Sequence, residues 1–313
     1  MPSIKTRDGT ELYLKEWGDS TGRPVILIHG WPLNADSLDR LAMHLGQAGH
    51  RVINYDRRGL GRSGQPWQGY DWDSLSDDLA DVMQATGAIQ DVTVIGYSMG
   101  GGEAARYMSR HDGKGVIKVG LYASVTPGVL QSEDNPHGNP ASGFDDIKAG
   151  IEKDIAAFFR HTFLPPFYGK TVMSNVGVGH AASDDVLEAA VTAALAGGMK
   201  PLIDTAHSFS FGDFKGDMPA MTVPTLIIHG TADKPLPIDA TARRSVVQGS
   251  GTRAHWPQPR PRSGDADVAR ASKLQHTVER VDGDRHLGRP APDVALQARP
   301  GCAGGVGCRA GDL

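Results

Sequence analysis

The chain has 313 residues, 39% of them hydrophobic and 22% charged, with 40 glycines, 20 prolines and 2 cysteines. That length suits one large α/β domain with an insertion, and the composition excludes a disordered chain, a collagen-like repeat and a disulfide scaffold. A formal charge of −4 argues against an electrostatically driven nucleic-acid binder.

The opening MPSIKTRDG lacks the apolar stretch of a signal peptide, and no segment approaches the roughly 18 apolar residues of a membrane span. The expectation is a cytoplasmic protein with neither membrane nor nucleic-acid partners. Residues 4–6 and 11–17 read as two short strands around a two-residue Asp8-Gly9 turn. Residues 25–29 (VILIH) form a continuous apolar run, as expected of a strand buried on both faces. Asp36 or Ser37 is placed to cap a helix running to about Ala48, with Leu38, Leu41, Ala42 and Leu45 on one face. RVINY (51–55) is the next strand, followed by the loop DRRGLGRSG. Leu75, Leu79, Val82 and Met83 mark a second amphipathic helix, VTVIG (92–96) a third buried strand, residues 102–110 a third helix and 116–122 a fourth strand. TLIIH (225–229) repeats the buried pattern. Alternation of this kind implies right-handed βαβ crossovers and a mostly parallel sheet.

From 126 to 215 the rhythm changes to helical patterns at 147–160 and 184–196, separated by LPPFYG. Phe158, Phe159, Phe163, Phe167 and Tyr168 read equally as the core of a helical insertion and as the face of a lid over a pocket. The chain accordingly divides into a first core part (1–125), a helical cap (126–215), a second core part (216–245) and an atypical tail (246–313).

The tail differs sharply from the rest. Ile, Met, Phe and Tyr are absent after Arg244. Ile, Leu, Met, Phe, Trp and Tyr together fall from 60 of the first 244 residues to 5 of the last 69. Arg-, Gly-, Pro- and Ala-rich text is what a GC-rich gene yields out of frame, so the tail reads as frame-shifted or disordered. Cys302 and Cys308, both in it, make only a weak zinc signal, and no metal or other cofactor is expected.

Chemistry concentrates at Gly96-Tyr97-Ser98-Met99-Gly100, which follows a buried strand and opens a helix. A serine on a sharp strand-to-helix turn needs neighbours without Cβ atoms, and the turn lifts its hydroxyl towards helix N–H groups. The Ser98 hydroxyl needs a base, and the base an orienting carboxylate. Asp233, on the loop after TLIIHG, fits the latter. Asp239 is the rival, but it sits where a helix would begin and is better explained as a cap. Oxyanion donors are the backbone N–H of Met99 and that of Trp31 in His29-Gly30-Trp31-Pro32, since Pro32 has none. His29, ending a buried strand, reads as structural.

In this order and spacing HGWP, YDRRGLGRS, GYSMGGGEAARY and IIHGTADKPLP resemble the α/β-hydrolase superfamily. More narrowly, residues 4–244 resemble the cofactor-free bacterial haloperoxidase and arylesterase group. The resemblance implies an α/β-hydrolase fold: a mostly parallel central sheet, helices on both faces and a helical cap insertion. It places the nucleophile on Ser98, the acid on Asp233 and the oxyanion donors on Trp31 and Met99. It also implies a serine esterase acting on small acyl or aryl esters, with water or hydrogen peroxide as acyl acceptor, and with peracid formation underlying haloperoxidation. Ser98, where related dehalogenases and epoxide hydrolases carry Asp, excludes their mechanism.

The family's base is a histidine in a Pro-His-Gly-like loop after the last strand; at the matching distance this chain reads RPRSG (260–264). His255, His276 and His286 lie 22, 43 and 53 residues past Asp233. His286 has the best setting, since residues 278–281 can form a strand before the Asp282-Gly283 turn, whereas His255 shows no strand signal. Two other readings remain: a binding protein on a hydrolase fold that lacks its histidine, and a dinucleotide-binding protein. The latter rests on G-x-G-x-x-G at Gly59–Gly64 and its Ala variant at Gly100–Ala105. Against it, Gln65-Pro66 interrupts the first and no ribose-binding acid follows the second. The sequence leaves homo-oligomerisation open.

Overall fold

The computed structural model describes residues 2–169, 182–231, 233–248, 252–255 and 279–280. Strand β1 (Ser3–Lys5) pairs antiparallel with β2 (Glu11–Trp17). The connection is one residue longer than the sequence suggests. Thr6 N–H donates to the Thr10 carbonyl and Gly9 has φ +87°, giving a three-residue Arg7-Asp8-Gly9 loop with a left-handed glycine at its end.

Strands β3 (Arg23–Ile28), β4 (His50–Tyr55), β5 (Val92–Tyr97), β6 (Val116–Tyr122), β7 (Thr225–Ile228) and β8 (Thr252–His255) follow, with β9 (Glu279–Arg280) after them. Among the described residues they form one nine-stranded sheet in the order β1-β2-β4-β3-β5-β6-β7-β8-β9. All pairs from β4 to β8 are parallel; β1·β2, β2·β4 and β8·β9 are antiparallel. At the central strands β3 and β4 the sheet is covered on both faces, and alternation along β3 shows it, whereas Tyr122 on β6 and Leu226 on β7 are exposed. Val25 and Leu27 pack with Val52, Leu38 and Ala42 below helix α1 (Asp39–Gln47). Ile26 and Ile28 belong to the larger cluster with α2 (Trp72–Thr86) and α3 (Met99–Arg110). Burying each such side chain contributes about 1.5–3 kcal/mol relative to exposure.

The start of α1 corrects the sequence reading. Asn34, not Asp36 or Ser37, caps here: its side chain accepts from Asp36 N–H at 3.1 Å and leads through a 3₁₀ turn, Ala35–Leu38, into α1.

Between β6 and β7 lie α4 (Ser142–Ala157), a π-helical turn at Phe158–Phe163, a 3₁₀ turn at Pro165–Tyr168, α5 (Asp184–Leu195) and α6 (Met199–Phe211). Helix α7 (Ala242–Gln248) follows β7. The strand at Thr252–His255 was not evident in the sequence. TRAH has little strand preference of its own, and the open edge of β7 supplies the ladder, in the register Ile228 opposite His255. Residues 279–280 then pair with β8, within the segment read as a strand before Asp282-Gly283. No single helix among the described residues is long and apolar enough to cross a membrane.

Candidate active site

Ser98 connects β5 directly to α3 and has φ 53°, ψ −117°. The helix begins at Met99, three residues before the sequence pattern suggests, because this one strained residue makes the whole turn. Holding a non-glycine residue there costs about 1–3 kcal/mol, which its neighbours must supply. Ser98 N–H donates to the Tyr122 carbonyl at 2.9 Å, and the Ser98 carbonyl accepts from Gly101 and Val125. The glycines are steric requirements. A Cβ on Gly96 would stand 2.3 Å from the Gly100 carbonyl oxygen, and one on Gly100 2.4 Å from that of Ile28 on β3.

The loop after β3 packs against this turn, and a Cβ on Gly30 would stand 2.9 Å from Ser98 Cβ. Trp31 and Met99 are both buried, and among the described residues their backbone N–H groups have no hydrogen-bond partner. Two such donors beside a serine suit a developing oxyanion. His29, fully buried, sets the first of them. Its Nδ1–H donates to the Gly30 carbonyl at 2.9 Å, and its Nε2 accepts from Arg57 N–H at 2.9 Å. The Gly30 carbonyl and Trp31 N–H belong to one peptide plane, so anchoring the first orients the second. Burial, reinforced by the Arg57 charge, pushes the His29 pKa down to about 3, keeping the neutral tautomer this bonding needs. Behind it lies a pairing the sequence reading missed. Arg57 Nε donates to Glu103 on α3 at 2.9 Å, Arg57 Nη2 to the His29 carbonyl at 2.8 Å, and the Tyr55 hydroxyl to Glu103.

The loop after β7 presents Asp233. Its Oδ1 accepts from Leu236 N–H at 2.9 Å, and its Oδ2 lies 3.6 Å from Nε2 of buried His229, which itself donates to the Leu236 carbonyl at 2.7 Å. Burial raises the Asp233 pKa against the opposing pull of that N–H and of His229. Asp239 is exposed and ion-paired with Arg243 rather than facing the site. Asn139 Nδ2 ties the acid loop to the chain before α4 by donating to the Pro235 carbonyl at 2.9 Å.

A cavity of about 330 Å³ opens over Ser98. Trp31, Phe158, Phe163, Phe167 and Phe209 line it, with Leu236 from the acid loop. Trp31 meets Phe163 edge-on at 4.8 Å and Phe209 at 5.3 Å, while its indole N–H is tied to the Leu202 carbonyl of α6 at 3.1 Å. The aromatics between β6 and β7 thus serve both as packing and as pocket wall.

Comparison with known proteins agrees with this geometry. The family model described as alpha/beta hydrolase fold matches residues 23–245. The chain belongs to the α/β-hydrolase family. A non-heme chloroperoxidase of Kitasatospora aureofaciens is 38% identical to this hydrolase over 246 residues, covering 79% of this chain and 86% of the relative. A bifunctional esterase/perhydrolase of Acinetobacter calcoaceticus is 34% identical, covering 79% and 87%. Among solved structures, a bromoperoxidase from Bacillus anthracis superposes with a TM-score of 0.74 at 32% identity, covering 82% of this chain and 91% of that one. The family match ends at residue 245, beside the change of composition after Arg244.

His276 and His286 lie outside the described residues, and His255 is described only as the end of β8. Among the described side chains, His229 is the one histidine within 4 Å of Asp233, and its Nε2 proton is spent on Leu236. Cys302 and Cys308 also lie outside the described residues, among which no cluster of three or more metal-binding side chains occurs.

The glycine patterns that suggested a dinucleotide serve the hydrolase fold instead. Gly59 and Gly61 take left-handed angles so that the loop can wrap buried Asp56, which accepts from the N–H of Ala35 and from Arg62 main chain and guanidinium. In the second pattern Gly102 makes room for Phe214, since a Cβ there would stand 2.4 Å from the ring.

Proposed function

We propose that this hydrolase is a serine esterase that turns over small acyl and aryl esters through an acyl-enzyme. The observation carrying the proposal is the strained Ser98 turn, set at a cavity between two unpartnered backbone N–H groups. Ser98 Oγ attacks the ester carbonyl while a histidine, His286 by the sequence reading, takes its proton. Asp233 orients that histidine and stabilises its charged form. The N–H groups of Trp31 and Met99 hold the oxyanion until the carbonyl reforms and the alcohol leaves with the proton. Water attacking the acyl-enzyme releases a carboxylic acid and regenerates Ser98. Hydrogen peroxide as the nucleophile releases a peracid, which oxidises halide outside the site. The esterase/perhydrolase relative supports both acceptors. The cavity of about 330 Å³ suits a compact apolar group.

Mass spectrometry of the protein quenched during p-nitrophenyl acetate turnover should find acetyl on Ser98. Peroxide added to the assay should divert acetate into peracetic acid, read by bromide-dependent halogenation. Turnover unchanged in Ser98→Ala, with no acetylated serine, would overturn the proposal.

A further inference from the structure

The cavity has one formal charge in its wall among the described residues: Asp146 on α4. It is exposed, and among the described residues no hydrogen bond or ion pair engages its carboxylate. Of the cations that follow it along the chain, Lys148 pairs with Glu152 at 4.0 Å and Arg160 with Glu188 at 2.8 Å, while Lys153 is exposed and does not line the cavity. Lys234, on the acid loop, is exposed and does not line the cavity. The other polar lining groups, Ser98, Asn139 and Thr162, are neutral, and the remainder is aromatic and aliphatic. Behind the Leu236 wall stands a second carboxylate, Asp233. The described residues therefore give the cavity a negative field, and its apolar walls keep water from screening it fully.

We propose that Asp146 is a specificity-determining residue that gives the cavity a charge preference, admitting neutral and cationic substrates and excluding those that carry a carboxylate. The proposal rests on the esterase reading and narrows its substrate class. Aromatic rings beside a carboxylate suit an ammonium group, because ring faces and carboxylate attract it together. A carboxylate in the same place meets Asp146 with no cation among the described lining residues to compensate. At a separation of several ångströms the single charge is worth about threefold in affinity where water screens it well, and about tenfold or more where the walls lower the effective dielectric. Asp146 is exposed and lies in the second turn of α4, beyond the first turn where the helix dipole acts, so neutralising it should cost little stability.

The test is equilibrium binding by calorimetry of three probes of matched shape: phenethylammonium, 2-phenylethanol and 3-phenylpropionate. Wild type, Asp146→Asn and Asp146→Lys are compared at low and high salt. The expected order for wild type is cation, then alcohol, then anion, with a cation-to-anion ratio of about tenfold or more at low salt. That ratio should collapse in Asp146→Asn and invert in Asp146→Lys. Equal ratios in all three proteins would overturn the proposal, as would failure of all three probes to bind the wild type. Neither result would touch the esterase reading, which stands or falls on covalent modification of Ser98.

Discussion

Replacing Glu103 by Ala should both destabilise the protein and weaken its chemistry. The Arg57 and Glu103 side chains are 1% and 0% exposed, and Arg57 Nη1 already lacks a partner among the described residues. Removing the carboxylate leaves a buried guanidinium held only by the His29 carbonyl, and deprives the Tyr55 hydroxyl of its acceptor. Breaking a buried pair from one side costs about 3–5 kcal/mol, a large share of the roughly 5–15 kcal/mol by which such domains are stable. Because Arg57 also fixes both ends of His29, the Gly30-Trp31 peptide should lose its orientation, and kcat should fall further than stability alone explains. The double variant Arg57→Met/Glu103→Leu removes both charges from the interior. It should recover most of the stability lost in Glu103→Ala while leaving kcat low. Urea unfolding followed by circular dichroism gives the first quantity, and p-nitrophenyl acetate turnover by the fully folded fraction the second. A Glu103→Ala protein within about 1 kcal/mol of wild type would refute the reasoning, as would a double variant no more stable than the sum of the single losses.

Other consequences can be checked in the same protein. An unfolded histidine titrates near 6.5 whereas native His29 does so near 3, so only the unfolded chain gains this proton as pH falls between those values. The His29 contribution is full above about pH 6.5 and is lost towards about pH 3, with a slope approaching 1.4 kcal/mol per pH unit. The urea midpoint of His29→Gln should therefore depend less steeply on pH over this window than that of wild type; parallel curves would contradict the assignment. Phe163→Ala removes a ring whose centroid lies 4.8 Å from that of Trp31 and enlarges the cavity. It should cost about 2 kcal/mol and raise kcat/KM for p-nitrophenyl hexanoate relative to the acetate. Of the alanine variants at His255, His276 and His286, the last should lose about a thousandfold or more in kcat. A comparable loss at His255 instead would put the base directly after β8.

What was legible in the sequence, and what was not, has a physical logic. VILIH and RVINY announce strands buried on both faces, because runs this short, rich in β-branched residues and bounded by turn residues suit a covered parallel sheet. In TLIIH, by contrast, Leu226 is exposed. The turn at Ser98 is legible because its glycines answer steric demands that no other residue meets. Buried charge is another matter. Arg57, Arg58 and Glu103 lie within stretches that read as a loop and an ordinary helix, and only the folded partners show why charge is tolerated there. A glutamate among small residues in GGGEAA was the available signal. Asp146 belongs to a helix face that looks merely solvated until the cavity beside it is seen. Thr252–His255 shows the converse, a strand recruited by a neighbouring edge rather than by its own composition.

Covalent labelling by a fluorophosphonate tests the central claim most directly, because the probe needs an activated serine beside an oxyanion site and reports its position by peptide mapping. The account predicts one labelled residue, Ser98, with labelling abolished in Ser98→Ala and strongly slowed in Asp233→Asn. Label on another serine, or on none while p-nitrophenyl acetate is still consumed equally by wild type and Ser98→Ala, would contradict it.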